Sequence, residues 1–273
     1  MKTIVKDHDA EANAIIDPYL AWAQTQRWYG EDCGRKLYER LRLCVATGDN
    51  NRRKIVEDVL LPEQQHRCCY CMRRIDDHTD SASVEHIVPE STDTNIKLRH
   101  YFSPRSAGLN AASVCLTPDY VRNGSVAPPY PHHVAYHNFA VACVECNSRR
   151  YHYEIEPIFL FEGIENEVTY DNHTGEMDWP NDPAYTNSIP ELPTVEKVGL
   201  NRPLLKAIRA VWFYAKSRGI DPATANRDEL VYETIGESLS SQPLMDDADF
   251  DAYLSLLKDE IWNLLLKYDY FGI

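Results

Sequence analysis

The sequence predicts an α+β chain in which a cysteine-clamped core of short strands and loops lies between two helical regions. Three observations predict it. Apolar residues recur at helical spacing near both ends, the middle third lacks that period, and this middle third carries two matched C-x-x-C pairs, Cys68 with Cys71 and Cys143 with Cys146. With 273 residues, 44% of them hydrophobic, the chain can bury a real core in one large domain or two small ones. The expected organisation is an N-terminal helical region over 1–62, a core over 63–157 with an insertion at 91–136, and a mainly helical C-terminal region over 158–273.

In the first region Ala12, Ile15, Ile16, Tyr19, Leu20 and Trp22 share one helical face, and Leu37, Leu41, Leu43 and Cys44 repeat the pattern. A basic surface accompanies them: 11 Lys/Arg stand against 7 Asp/Glu between Arg27 and Arg74, with Arg52, Arg53 and Lys54 in a row. Such a run reads either as a solvated helix face or as a patch that faces phosphate. In the core, residues 83–89 alternate as a short strand that Pro89 stops. The polar stretch 91–136, with Pro104, Pro118, Pro128, Pro129 and Pro131, exceeds the ordinary length of a structureless loop and is read as an insertion.

Further on, 158–161 and 167–170 read as short strands punctuated by Asn172, Gly175, Pro180 and Pro183. Asn201 and Pro203 mark a helix start, Leu204, Leu205, Ile208, Val211, Trp212 and Ala215 line one face, and Gly219 ends it. Trp212, Phe213 and Tyr214 in succession cannot all face one core. A final helix over about 247–268 carries Phe250, Leu254, Leu257, Ile261, Leu264 and Leu265.

The chain starts without an apolar leader and contains no run of about 18 apolar residues, which predicts a cytosolic protein with no membrane span. In a reducing compartment five cysteines so tightly grouped point to a metal rather than to disulfides. A C-x-x-C turn lets two thiolates reach one ion, and two such turns complete a closed tetrahedral zinc site. Cys69 could replace Cys68 in a C-x-C pair, but the spacing favours Cys68 with Cys71. Cys33, Cys44 and Cys115 stand alone and read as small apolar residues.

Between the pairs lies Glu85-His86-Ile87-Val88-Pro89; His137-Asn138 precedes the second pair and Asn147-Ser148-Arg149-Arg150 follows it. Singly these are weak signals, since a lone histidine on an apolar strand is usually structural and a lone asparagine usually caps a turn. In combination, over about residues 60–152, they resemble the HNH endonuclease family. The resemblance implies a ββα-metal fold and phosphodiester hydrolysis. His86 would then activate water as a general base, and Glu85 and Asn147 would offer hard oxygen ligands to Mg²⁺ or Mn²⁺. Asn138 would hold the loop that aims His86, and Arg150, with Arg149, would contact phosphate. The motif departs from the family's commoner form in having Glu at the first acidic position, Asn at the last, and a spacing of 52 residues from His86 to Asn138. His132, His133 and His137 are rival ligands.

The flanks, Leu61-Pro62-Glu63-Gln64-Gln65 and Gly199-Leu200-Asn201-Arg202-Pro203, resemble more narrowly the HNH subunits of bacterial anti-phage systems of the Septu and retron-associated kind. That likeness implies a bacterial cytoplasmic protein partnered by an ATPase of the ABC and structural-maintenance class, acting on DNA, with RNA also open. Charge bears on this. Of the net −14, residues 150–273 carry 10 Lys/Arg against 23 Asp/Glu, whereas 1–149 are nearly balanced. An acidic half repels nucleic acid and suits a basic partner, although a helical cap that only keeps the chain in solution would have the same composition. A zinc-stabilised binding or adaptor module that no longer catalyses is the alternative from another class; the intact set of Glu85, His86 and Asn147 argues against it.

Overall fold

The computed structural model describes residues 4–27, 33–41, 50–75, 82–87, 113–115, 128–150, 167–180, 194–220 and 226. Within them the chain mixes helix and strand. It divides into two compact units, residues 1–69 with 75–164, and residues 70–74 with 165–273. Leu43, Cys44, the strand expected at 158–161, the helix expected at 247–268, the boundary at 157/158 and most of the insertion at 91–136 lie outside the described residues.

The first unit opens with α1 (Asp9–Gln24), whose Ala12, Ile16, Tyr19, Leu20 and Ala23 are buried. Ile15 and Trp22, on the edges of that stripe, are only half-buried. In α2 (Cys33–Leu41) Leu37, Tyr38 and Leu41 are buried, and the Tyr19 hydroxyl donates to the Leu37 carbonyl. Next, α3 (Asn51–Lys54) starts on a side-chain cap, the Asn50 carboxamide oxygen accepting the Arg53 N–H at 3.1 Å. It runs on into a π-helical segment (Ile55–Leu60) and then α4 (Leu61–Glu63). The aliphatic pairs Ile55–Val56 and Val59–Leu60 bury one face of this continuous stretch.

The strand expected at 83–89 is present as β1 (Ala82–His86). Two short strands, β2 (Val114–Cys115) and β3 (Tyr130–Pro131), pair in parallel. A 3₁₀ turn, Tyr136–Asn138, leads into β4 (Phe139–Cys143), and α5 (Val144–Arg150) follows without a linker. β1 and β4 are antiparallel, with Ala82 opposite Cys143, Glu85 opposite Ala140 and His86 opposite Phe139. Every residue of β4 is buried, as a run without polar alternation requires. At its other edge the Gln64 side chain and the Cys69 backbone N–H both meet Val141. The Gln64 carboxamide accepts the Val141 N–H at 2.7 Å and donates to the Val141 carbonyl at 2.9 Å.

In the second unit β5 (Thr169–Tyr170) and β6 (Met177–Asp178) form a hairpin. After α6 (Thr194–Lys197) comes α7 (Pro203–Arg218), which Gly219 ends in the left-handed conformation at φ 63°, as its position predicts. Asn201 does not cap α7. Its carboxamide instead takes the Met177 N–H at 2.7 Å and gives to the Met177 carbonyl at 2.8 Å, tying the hairpin to the helix start. Leu205, Ile208, Ala210, Val211 and Ala215 are buried, whereas Trp212, Phe213 and Tyr214 are all half-buried. Cations cover two of these rings, Lys216 over Trp212 at 4.4 Å and Arg218 over Tyr214 at 4.5 Å. No helix among the described residues is long and apolar enough to cross a membrane.

Candidate metal centre and active site

The hairpin turn at residues 66–75 begins with Gln65 and His66 at positive φ and closes through the Ile75 N–H, which donates to the His66 carbonyl at 2.7 Å. That reversal carries Cys68 and Cys71. The end of β4 and the first turn of α5 carry Cys143 and Cys146. The four Sγ atoms are buried and lie within 4.8 Å of one another, the one grouping of three or more histidine, cysteine or acidic residues able to share an ion among the described residues. A zinc–sulfur bond of about 2.3 Å gives a tetrahedral edge of about 3.8 Å, so four thiolates at this separation can close on one ion with a small contraction. The cluster is thus a site that could hold a metal such as zinc. Cys69 is outside it: its backbone N–H donates to the Val141 carbonyl at 2.9 Å, and burial pushes its thiol pKa up.

Period-2 alternation sends the side chains of β1 two ways. Ser83 and Glu85 turn toward α5, where two rungs join strand to helix: the Asn147 amide donates to Ser83 Oγ at 2.6 Å, and the Arg150 guanidinium pairs with the Glu85 carboxylate. Residues three apart on a helix meet residues two apart on a strand because both spacings advance about 5–7 Å. Arg150 also donates to the carbonyls of His86 at 2.7 Å and Ile87 at 2.9 Å, and its side chain is only 4% exposed. The expected phosphate contact at Arg150 is therefore replaced here by a buried clamp on the end of β1. Arg149 faces outward, half-exposed beside Glu145 at 3.5 Å.

His86 turns the other way, into an aromatic frame. The Tyr38 ring meets it edge-on at 4.3 Å between centroids, and Phe139, its partner across the strands, does so at 5.1 Å. Its Nε2 lies 3.2 Å from the His133 carbonyl. A carbonyl only accepts, so the ring proton sits on Nε2 and the Nδ1 lone pair is the basic end. Burial holds the imidazole far below its ordinary range, at about 3; the His133 carbonyl opposes this, and the neighbouring His133, Arg150 and Arg52 reinforce it.

Asn138 is fully buried, and its amide donates to the His132 carbonyl at 2.6 Å while its own carbonyl accepts the Ile87 N–H at 3.0 Å. It joins the histidine-bearing loop to the strand end that follows His86. Of the rival histidines, His133 serves His86 through its backbone and His137 pairs with Asp9 at 2.7 Å.

Sequence reasoning missed three groups that build this site. Tyr38 frames His86, Gln64 seals the edge of β4, and Lys6 donates at 2.6 Å to both the Glu63 carboxylate and the Phe139 carbonyl. The Tyr136 hydroxyl joins the same glutamate. A tyrosine, a glutamine and a lysine in helical or N-terminal segments carry no spacing signal for such roles.

Comparison with protein-family models, with curated proteins and with solved structures finds no match.

Proposed function

We propose that the chain is an HNH-type endonuclease that hydrolyses phosphodiester bonds in DNA and is stabilised by zinc at Cys68, Cys71, Cys143 and Cys146. The observation that carries this reading is the strand–strand–helix unit of β1, β4 and α5. In it Glu85 and His86 lie toward one end of β1 with Asn138 beside them, Asn147 meets the same strand face two residues earlier at Ser83, and the four thiols gather near Cys143 at the other end of the hairpin.

In this reading a water approaches His86 Nδ1, gives up a proton to it and attacks phosphorus, while the bond to the leaving oxygen breaks. The His133 carbonyl fixes the tautomer that leaves Nδ1 unprotonated. Hard oxygen donors suit Mg²⁺ or Mn²⁺: the Glu85 carboxylate and the Asn147 Oδ1, the amide end that does not bond Ser83. A carboxylate has about four lone-pair sites, so Glu85 can serve an ion while Arg150 stays against it. When bound, such an ion would offset phosphate charge and stabilise the leaving oxygen. Asn138 holds the loop behind His86, and Arg149 is the arginine placed to meet phosphate. The acidic C-terminal region fits a chain that engages DNA through a basic partner, which the narrower resemblance makes an ATPase of an anti-phage complex.

One observation favours a second reading. Glu85 is almost fully buried and already neutralised by Arg150, an arrangement that would serve equally in a zinc-stabilised adaptor without catalysis. Incubating supercoiled plasmid with the protein and Mg²⁺ or Mn²⁺, with and without a candidate ATPase, separates them. Cleavage by wild type that falls at least ~100-fold in His86→Ala supports the nuclease. Equal cleavage by both removes the proposed base, and none in any arm favours the adaptor.

A further inference from the structure

Beside the proposed base lies a cation outside the four-residue motif. Arg52, on α3, holds its guanidinium over the Tyr38 ring at 4.9 Å from the centroid, and the same ring meets the His86 imidazole at 4.3 Å and Phe139 at 6.3 Å. Tyr38 is buried and Arg52 half-buried. The neighbouring Arg53 differs: it is exposed and tied to Glu57 at 2.7 Å. For Arg52 no acidic partner occurs among the described residues. A partly desolvated guanidinium held over an aromatic face keeps its charge in place through the ring while its N–H donors remain able to bond an anion. Those donors form the fork that matches two phosphate oxygens.

We propose that Arg52 is a phosphate-binding residue of the active site, gripping the DNA backbone next to the bond that His86 serves, with Tyr38 as the platform that orients it. This rests on the nuclease reading. It also divides the basic run, making Arg52 the ligand contact and Arg53 a solvated helix-face residue. The acidic balance of the whole chain is no obstacle, because the contact is local and desolvated.

The test is binding of a duplex oligonucleotide, followed by fluorescence anisotropy at several salt concentrations without added divalent ion, using full-length protein. Arg52→Gln should weaken binding about tenfold and reduce the salt slope by about 0.9, the loss of one phosphate contact. Arg53→Gln should change neither. Arg52→Lys, which keeps charge but not the stacked fork, should weaken binding by a smaller factor and leave the slope unchanged. Zinc content and thermal midpoint serve as folding controls; if Arg52→Gln does not fold, Arg52→Lys decides alone. Affinity equal to wild type in the folded Arg52 variants overturns the proposal and leaves the nuclease reading standing. So does an equal loss in Arg53→Gln, which would mean diffuse charge rather than a contact. Wild type that binds no duplex even at low salt overturns the Arg52 contact, and the plasmid-cleavage assay with the partner then judges the nuclease reading by itself.

Discussion

Two side chains decide whether the strand pair can hold its shape. Gln64 supplies to Val141 the donor and acceptor that a third strand would otherwise supply, inside a fully buried strand. Gln64→Ala leaves the Val141 N–H unsatisfied, at a cost of roughly 1–3 kcal/mol, while the Val141 carbonyl keeps the Cys69 N–H. Chemical denaturation should show a loss of about that size. A loss under ~0.5 kcal/mol in the alanine variant would mean that another group covers the edge. His86 imposes a pH dependence of definite sign. Its folded pKa, about 3, lies below the ordinary 6.5, so as pH falls through about 6.5 the unfolded chain takes up a proton that the folded one refuses. The stability associated with neutral His86 is complete above pH 6.5 and is lost on the way down to about 3. His86→Phe, which keeps the aromatic contacts to Tyr38 and Phe139, should gain on wild type by about 1 kcal/mol per pH unit below 6. Parallel stability profiles for the two proteins would contradict the buried neutral imidazole.

At the scale of elements, close approach rather than propensity fixes the second unit. Gly175 turns the β5–β6 hairpin at φ +66°, and a Cβ there would come within 2.0 Å of the Lys206 carbonyl oxygen on α7. Gly219 has nearly the same φ, +63°, but nothing within 4 Å of its Cβ position. Alanine at Gly219 should therefore cost only the left-handed strain, about 1–2 kcal/mol, whereas Gly175→Ala must also push hairpin and helix apart and should destabilise by clearly more. Comparable unfolding midpoints for the two variants would mean that the hairpin does not rest on α7. Both glycines were visible in the sequence as punctuation. The difference between them was not, since it depends on a backbone 31 residues downstream.

For the molecule as a whole, the thiol cluster joins segments far apart in the sequence, so it should govern folding rather than trim it. Metal content measured by atomic absorption should fall in Cys71→Ala and Cys146→Ala, and far-UV circular dichroism should show partial or full unfolding; a strong chelator should do the same to wild type. Cys69→Ala should retain the metal. Full metal stoichiometry in both cluster variants would overturn the clamp.

The sequence by itself determined that helix and strand mix, the helical face of α1, the stop at Gly219 and, above all, that two C-x-x-C pairs converge, with Cys68 favoured over Cys69. Those properties follow from period and spacing, which are local and written in order along the chain. It also pointed to Glu85, His86, Asn138 and Asn147 as one group. Only the tertiary structure decided what surrounds them: Arg150 turned inward onto Glu85 instead of outward, Tyr38 and Phe139 boxing the imidazole, Gln64 standing in for a strand, and Asn201 bonding a hairpin instead of capping a helix. Each of these roles depends on which face of one element meets another, and a side chain's direction is set by packing partners remote in sequence. Spacing can therefore nominate a ligand or a base, but the burial and charge that tune it are settled only when the strands and helices close.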